Sequence, residues 1–114
     1  MRMTEMTEEI EGFCFQIISL AGTARSKYIE AVRRAREGKP EEADNLIQEG
    51  KKLFLKGHES HMKLLAAQEE RIDSAQMQVL LMHAEDQLMS AETIGLMAAD
   101  MIELYGLVRK EEKK

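Results

Sequence analysis

Residues 79–105 read VLLMHAEDQLMSAETIGLMAADMIELY, a stretch in which apolar residues recur at helical spacing. Two stripes of side chains run along the predicted helix. The first is apolar or small throughout: Leu81, Ala84, Leu88, Ala91, Gly95, Ala98, Ile102 and Tyr105. The second has apolar ends and a polar middle: Val79, His83, Asp86, Ser90, Thr93, Met97, Met101 and Leu104. A helix with two such faces packs against more than the helices of its own chain, so bundles are expected to associate through it.

Two further helices are predicted before this stretch. The first, at about 8–37, carries a stripe in steps of four and three residues: Ile10, Cys14, Ile17, Ala21, Ala24, Tyr28, Ala31 and Ala35. Gly38 and Pro40 mark a break, because glycine favours the end of one helix and proline the first turn of the next. The second helix, at about 40–68, repeats the stripe at Ala43, Ile47, Gly50, Phe54, Gly57, His61 and Leu64. The two glycines in this stripe leave room for a neighbouring helix to come close.

The third helix is predicted at about 74–109, where Asp73 and Gln76 have the spacing of a capping box at its start. The charged tail 109–114 is expected to fray. Three helices of similar length, each with a continuous seam, predict an all-α, up-down-up antiparallel three-helix bundle. A chain of 114 residues has room for one domain, 1–114.

Composition excludes several classes of protein. The net charge of −5 leaves no basic stripe for nucleic acid. No apolar run is long enough for a membrane span, and the residues after Met1 lack a signal-peptide pattern. Cys14 is the single cysteine, so an internal disulfide is excluded and a reducing cytoplasm is the expected location. The place of Cys14 on the apolar stripe favours a packing role over that of a reactive thiolate.

The histidines are the candidates for chemistry, because nucleophilic triads and phosphate-binding glycine loops are missing from the sequence. His58 and His61 share one side of the second helix, but no Glu-x-x-His pair accompanies them, which favours a structural role over metal binding. On the third helix, His83, Asp86 and Gln87 lie on one face. A carboxylate and an amide one turn away can fix the tautomer of an imidazole and leave its other nitrogen free to attack phosphorus. Spacing alone leaves a functional and a structural interpretation of His83 open.

The segment around His83 resembles a known signature. Residues 83–89, His-Ala-Glu-Asp-Gln-Leu-Met, are similar to the His-x-Gln-Asp-His-Leu-Met signature of the lactose/cellobiose (chitobiose)-type IIA components of the bacterial phosphoenolpyruvate-dependent sugar phosphotransferase system. Residues 21–27, Ala-Gly-Thr-Ala-Arg-Ser-Lys, look like that family's helix-one segment, Ala-Gly-x-Ala-Arg-Ser-x. Residues 102–105, Ile-Glu-Leu-Tyr, match its closing Ile-Glu-Leu-[Tyr/His]. The similarity covers nearly the whole chain in the right order.

The resemblance implies that the chain is a phosphoryl carrier of bacterial sugar uptake. His83 is then the acceptor of a phosphoryl group from phospho-HPr, and passes it to a cysteine of a IIB component. The family's aspartate, here Asp86, implies a homotrimer in which three carboxylates meet on the axis. There they can hold one divalent cation per trimer, expected to be Mg²⁺. The sugar is recognised by the membrane component IIC, so contact with the membrane is expected only through that component.

The chain departs from the signature at two positions. Glu85 stands where the family usually has Gln, and Gln87 where it usually has a second His. Because Gln87 cannot titrate, an acid–base role at that position is in doubt for this chain. Two other hypotheses stay open. One is a histidine phosphotransfer domain of two-component signalling, although its typical His-x-x-Lys-Gly is absent at His58 and His83; the other is a non-catalytic helical interaction module.

Overall fold

The computed structural model describes residues 3–68 and 74–112. Over these ranges it consists of three α-helices: α1 is Met3–Arg36, α2 is Pro40–Gln68 and α3 is Ala75–Glu112. The predicted all-α three-helix bundle is therefore confirmed. The helices lie side by side, so that the molecule is 67 Å long and only 19 × 17 Å across. Helix α1 is the central element, because both other helices pack mainly on it and less on each other.

The break between α1 and α2 follows from the two residues that predicted it. Gly38 has a φ of 81°, a left-handed conformation that side chains disfavour. Its N–H donates to the Ala35 carbonyl at 3.0 Å, and the Lys39 N–H donates to the Arg34 carbonyl at 2.9 Å. These two bonds form a Schellman motif, which satisfies the last carbonyls of α1. Pro40 then occupies the first turn of α2, where its missing N–H costs no helical hydrogen bond.

Helix α3 begins close to its predicted start and ends later than predicted. Asp73, the expected capping residue, lies outside the described residues. The Ser74 hydroxyl accepts a hydrogen bond from the Met77 N–H at 3.1 Å, which is the contact of an N-cap. At the other end, α3 stays helical through Glu112, where a fraying tail was expected from Arg109. Arg109 explains the difference, because its guanidinium donates to the Arg36 carbonyl at 2.5 Å and so ties α3 to the end of α1.

The predicted core stripe of α1 is buried along its whole length. Small side chains dominate where α1 meets α3, and they let the two helices approach closely: Ala21, Ala24, Ala31, Ala84, Ala91 and Ala98. Larger side chains fill the half of the bundle that contains the start of α3, with Ile17 and Leu64 fully buried there. The stripe of α1 residues that was predicted from apolar spacing is therefore the surface that packs against the other helices.

Tyr28 is held between two glycines, one from each neighbouring helix. A Cβ atom added to Gly50 of α2 would lie 2.6 Å from the Tyr28 ring, and one added to Gly95 of α3 would lie 2.7 Å from it. Both distances are too short for real carbon atoms. The Tyr28 side chain is only 4% exposed, and burial raises the pKa of its phenol. The close approach predicted for the α2 glycines is made by side chains: the Tyr28 ring at Gly50 and the Leu88 side chain at Gly57.

The outer face of α3 is the side turned away from α1 and α2. We define it by its exposed residues: Val79, Met82, His83, Asp86, Met89, Thr93, Leu96, Met97, Met101 and Leu104. The buried residues of the same helix are Met77, Ala84, Leu88, Ala91 and Ala98. The two predicted stripes of this helix therefore exist, one turned to the core and one to solvent, although Ser90 of the second stripe is half-buried.

Candidate functional site on the third helix

His83 lies in the first half of α3, on the outer face. Its neighbour Ala84 is fully buried, and Leu88 one turn further is almost so; both belong to the core cluster with α1 residues. Because Ala84 is fixed inward by this packing, the adjacent His83 projects away from the core. The imidazole is therefore accessible from outside the single chain.

Gln87 lies one helical turn from His83 and is tied to α1. Its Oε1 accepts a hydrogen bond from the Arg25 guanidinium at 2.8 Å. Both side chains are half-buried, so the contact is shielded from solvent more than a surface pair would be. A hydrogen bond to a charged donor is stronger than one between neutral groups. The Gln87 side chain therefore has a fixed partner on the neighbouring helix.

Glu85 has a partner on the other neighbouring helix. Its carboxylate oxygen lies 3.2 Å from Nε2 of His61 on α2, and the His61 side chain is 16% exposed. A structural role for His61, which the sequence favoured, agrees with this position. Gln and His of the family signature are thus replaced by Glu85 and Gln87, and each replacement makes a polar contact with a different helix. Together the two contacts fix the turn that follows His83 from both sides.

Asp86 is exposed on the outer face and is separated from the core by the width of the helix. Thr93, two turns further, donates its hydroxyl to the Met89 carbonyl at 3.2 Å. Within residues 3–68 and 74–112 of one chain, no three His, Cys, Asp or Glu side chains lie close enough to hold a metal ion. A cation at Asp86 therefore needs carboxylates from further copies of the chain.

The remaining candidates lie away from this face. His58 is exposed on α2, where its ring stacks on Phe54 with centroids 6.4 Å apart. Cys14 is fully buried in the core. Burial first, and then the negative charges of Glu85 and Glu11, raise the pKa of its thiol, which keeps it protonated and unreactive.

Sequence reasoning missed the role of Arg25. The residue is part of the segment that resembles the family's first helix, but periodicity gave it no partner. Because α1 and α3 run in the same direction, long side chains on the facing sides of the two helices come within reach. No sequence signal pairs Arg25 with Gln87, because the contact depends on how α1 and α3 are aligned, which the structure shows where Tyr28 meets Gly95.

Comparison with known proteins agrees with this architecture. A family model described as the lactose/cellobiose-specific IIA subunit of the phosphotransferase system (PTS) matches residues 12–106. The lichenan-specific phosphotransferase enzyme IIA component of Bacillus subtilis is 37% identical over 106 residues, which are 93% of this chain and 96% of the relative. The lactose-specific EIIA component of Staphylococcus aureus is 35% identical over 98 residues, covering 86% and 94%. The crystal structure of the cellobiose-specific enzyme IIA from Bacillus anthracis has a TM-score of 0.80 at 35% identity, covering 89% and 92%.

The chain is an all-helical component of a group-transfer system, and it belongs to the lactose/cellobiose-specific IIA family of the sugar phosphotransferase system. Membership makes it a phosphoryl carrier in sugar uptake, a phosphotransferase by family. This selects the first hypothesis over the two-component domain and the interaction module. None of the described helices is long and apolar enough to cross a membrane.

Proposed function

We propose that His83 is the residue that carries the phosphoryl group. The observation that supports this most is the exposure of His83 on the outer face, beside an amide and a carboxylate one turn away, within the segment that resembles the family signature. A carrier needs a nucleophile that two different proteins can reach in turn. An exposed imidazole on a rigid helix meets that requirement, because phosphoryl transfer depends mainly on aligning nucleophile, phosphorus and leaving group.

The donor is the phosphohistidine of HPr. A ring nitrogen of His83 supplies the electron pair of the new N–P bond, the N–P bond of the donor breaks, and its electron pair remains on the donor imidazole. In the second step the thiolate of a IIB cysteine forms an S–P bond, and the electron pair of the broken bond returns to His83. The phosphoenolpyruvate that feeds this chain of transfers is made in the cytoplasm, which is therefore the proposed location.

The active form is a homotrimer built on the outer face of α3. Met82, Met89 and Leu96 on this face are 68, 66 and 67% exposed in the single chain. Apolar surface of this extent is uncommon on a monomer and favours burial against another protein. Closed three-fold symmetry buries the middle of this face, around Asp86, at one axis and leaves His83, at the edge next to α1, open to partner proteins.

Asp86 is the ligand of a divalent cation, with Mg²⁺ as the expected ion, at the axis of this trimer. One chain supplies one carboxylate, so the ligand set is complete only when three copies bring their Asp86 side chains together. Carboxylate oxygens are suitable ligands for a hard cation. The bound cation supplies charge neutralisation between carboxylates that otherwise repel one another. It takes no part in the transfer to His83.

Labelling decides the phosphoryl acceptor. The chain is incubated with radioactive phosphoenolpyruvate and the general phosphotransferase proteins, including HPr. We expect label that is lost in acid and kept in base, as phosphohistidine requires. His83→Ala removes it, whereas His58→Ala, the matched exposed histidine on α2, keeps it. Full labelling of His83→Ala would overturn the assignment. Added IIB component then takes up the label only when its cysteine is present.

A further inference from the structure

The hydrogen bond between Arg25 and Gln87 fixes the orientation of an amide one turn from His83. A guanidinium only donates, so the atom of Gln87 that faces Arg25 is the carbonyl oxygen, 2.8 Å away. The amide nitrogen at the other end of the group carries two N–H donors. Residues four apart share a helix face, so these donors belong to the face that carries His83.

Asp86, one turn away, is the acidic residue of α3 that shares the face of His83. A phosphoryl group on His83 adds further negative charge and three acceptor oxygens, which are stabilised by N–H donors and cations. Glu85 is paired with His61 on the α2 side. Arg25 brings a positive charge to the α1 side of this turn, and its bond to Gln87 uses one of five N–H groups.

We infer that Arg25 and Gln87 together form the site that receives the phosphoryl group carried by His83, an inference that rests on the proposed function. The Gln87 amide nitrogen donates to a phosphoryl oxygen. Arg25 positions that amide and offsets the charge of the group. The pair thus supplies a donor at the place of the family's second histidine, and this donor does not depend on a titrating ring.

Gln87→Glu separates this role from a purely structural one. The carboxylate keeps an oxygen facing Arg25, and an ion pair replaces the hydrogen bond, so the melting temperature stays equal or rises. The N–H donors are lost and a negative charge faces the phosphoryl group. We expect the initial rate of phosphoryl acceptance from phospho-HPr to fall roughly ten- to hundredfold. An acceptance rate equal to that of the wild type would overturn the inference, since a structural tie needs only the oxygen.

Substitutions of Arg25 test its contribution to the rate of phosphoryl acceptance, and a residue on the same helix serves as the control. Lys27 also ties α1 to another helix, through Glu49 of α2 at 3.1 Å. Arg25→Gln is expected to lower the acceptance rate roughly tenfold, while Lys27→Gln leaves it unchanged. Arg25→Lys keeps the charge but not the planar fork, so it recovers part of the rate. Equal rates for Arg25→Gln and Lys27→Gln would contradict a role of Arg25 at the phosphoryl group.

The wild-type protein distinguishes failure of this inference from failure of the proposed function. The proposed function itself is overturned if the wild-type protein accepts no label, or if the His83→Ala protein accepts label as the wild type does. Wild-type chain that accepts label on His83, together with Gln87→Glu and Arg25→Gln proteins that accept it at the wild-type rate, overturns only the assignment of the Arg25–Gln87 pair.

Discussion

The inner and outer sides of α3 differ in the size of their apolar residues as well as in polarity. Ala84, Ala91 and Ala98 on the inner side are buried against α1. Met82 and Met89 on the outer face are large, flexible and mostly exposed. Small residues suit a contact between neighbours in one chain, because they let helix axes approach closely. Long methionine side chains adapt to surfaces that meet later, in assembly. The same helix is thus prepared for two different kinds of contact.

The largest effect is expected from a charge on the outer face. Met97→Lys places an ammonium group in the proposed trimer interface, where desolvation makes a lone charge costly. We expect it to weaken trimer formation at least about a hundredfold, because each trimer would bury three such charges. Light scattering at micromolar concentration should then give the mass of a single chain.

Leu55→Lys is the matched control for this substitution. Leu55 on α2 and Met97 on α3 are both 56% exposed in the single chain. Leu55 lies away from the outer face, so its replacement should leave the trimer mass unchanged. A trimer that survives Met97→Lys, or wild-type protein that is monomeric, would remove the distinction between the two sides of α3.

On the inner side of α3, an increase in side-chain size is expected to lower the stability of the protein. Gly95→Ala adds a carbon 2.7 Å from the Tyr28 ring, which Gly50 confines from the opposite side. Overpacking of a tight core costs about 1–3 kcal/mol, and the better helix propensity of alanine returns about 1 kcal/mol. We therefore expect a net loss of up to about 2 kcal/mol in the free energy of unfolding, measured by denaturant titration.

Gly12 allows the effect of helix propensity on stability to be measured without any change in packing. A Cβ added to Gly12 of α1 would meet nothing within 4 Å. Gly12→Ala should therefore stabilise the protein by up to about 1 kcal/mol. If Gly95→Ala stabilises it equally, Tyr28 does not fill its slot as tightly as the structure shows.

A smaller effect of opposite sign is expected at Asp86. On the proposed axis, Asp86→Leu removes repulsion between three carboxylates and extends the apolar surface, so the melting temperature should rise by roughly 5 °C. A chelator should lower the melting temperature of the wild type and leave that of Asp86→Leu unchanged. Asp44→Leu, at an exposed carboxylate of α2, serves as the control without a chelator effect. A less stable Asp86→Leu protein, with a wild type indifferent to chelator, would refute the cation site.

The smallest change is expected where the two helix ends meet. Arg109→Gln removes the donor to the Arg36 carbonyl, but the Nε of Arg109 is already buried without a hydrogen-bond partner among the described residues. The loss should be no more than about 1 kcal/mol, because one bond is given up together with one unsatisfied group. The loss in the free energy of unfolding is measured by urea titration, with Lys110→Gln at the exposed neighbouring position as the control. A loss equal to that of the control would mean that solvent caps α1 equally well.

Sequence patterning predicted the helices, their seams and the break at Gly38 because each depends on local spacing or on one backbone conformation. It also marked His83, since the spacing of its neighbours is a property of one helix. Contacts between helices were beyond its reach. The pairs Arg25–Gln87 and His61–Glu85 depend on how helices are aligned relative to one another, and periodicity fixes only which face of each helix turns inward.

The hydrogen bond from Arg109 to the Arg36 carbonyl determines the order in which contacts at the end of α1 can form during synthesis of the chain. These residues are 73 positions apart, so the end of the first helix acquires this donor only after nearly the whole described chain has left the ribosome. Contacts between distant segments form late, because a long loop must close first. The Schellman bonds at Gly38 are local and available at once. Helix α1 can therefore end at Arg36 early in synthesis, whereas its hydrogen bond with α3 forms only when synthesis of the chain is nearly complete.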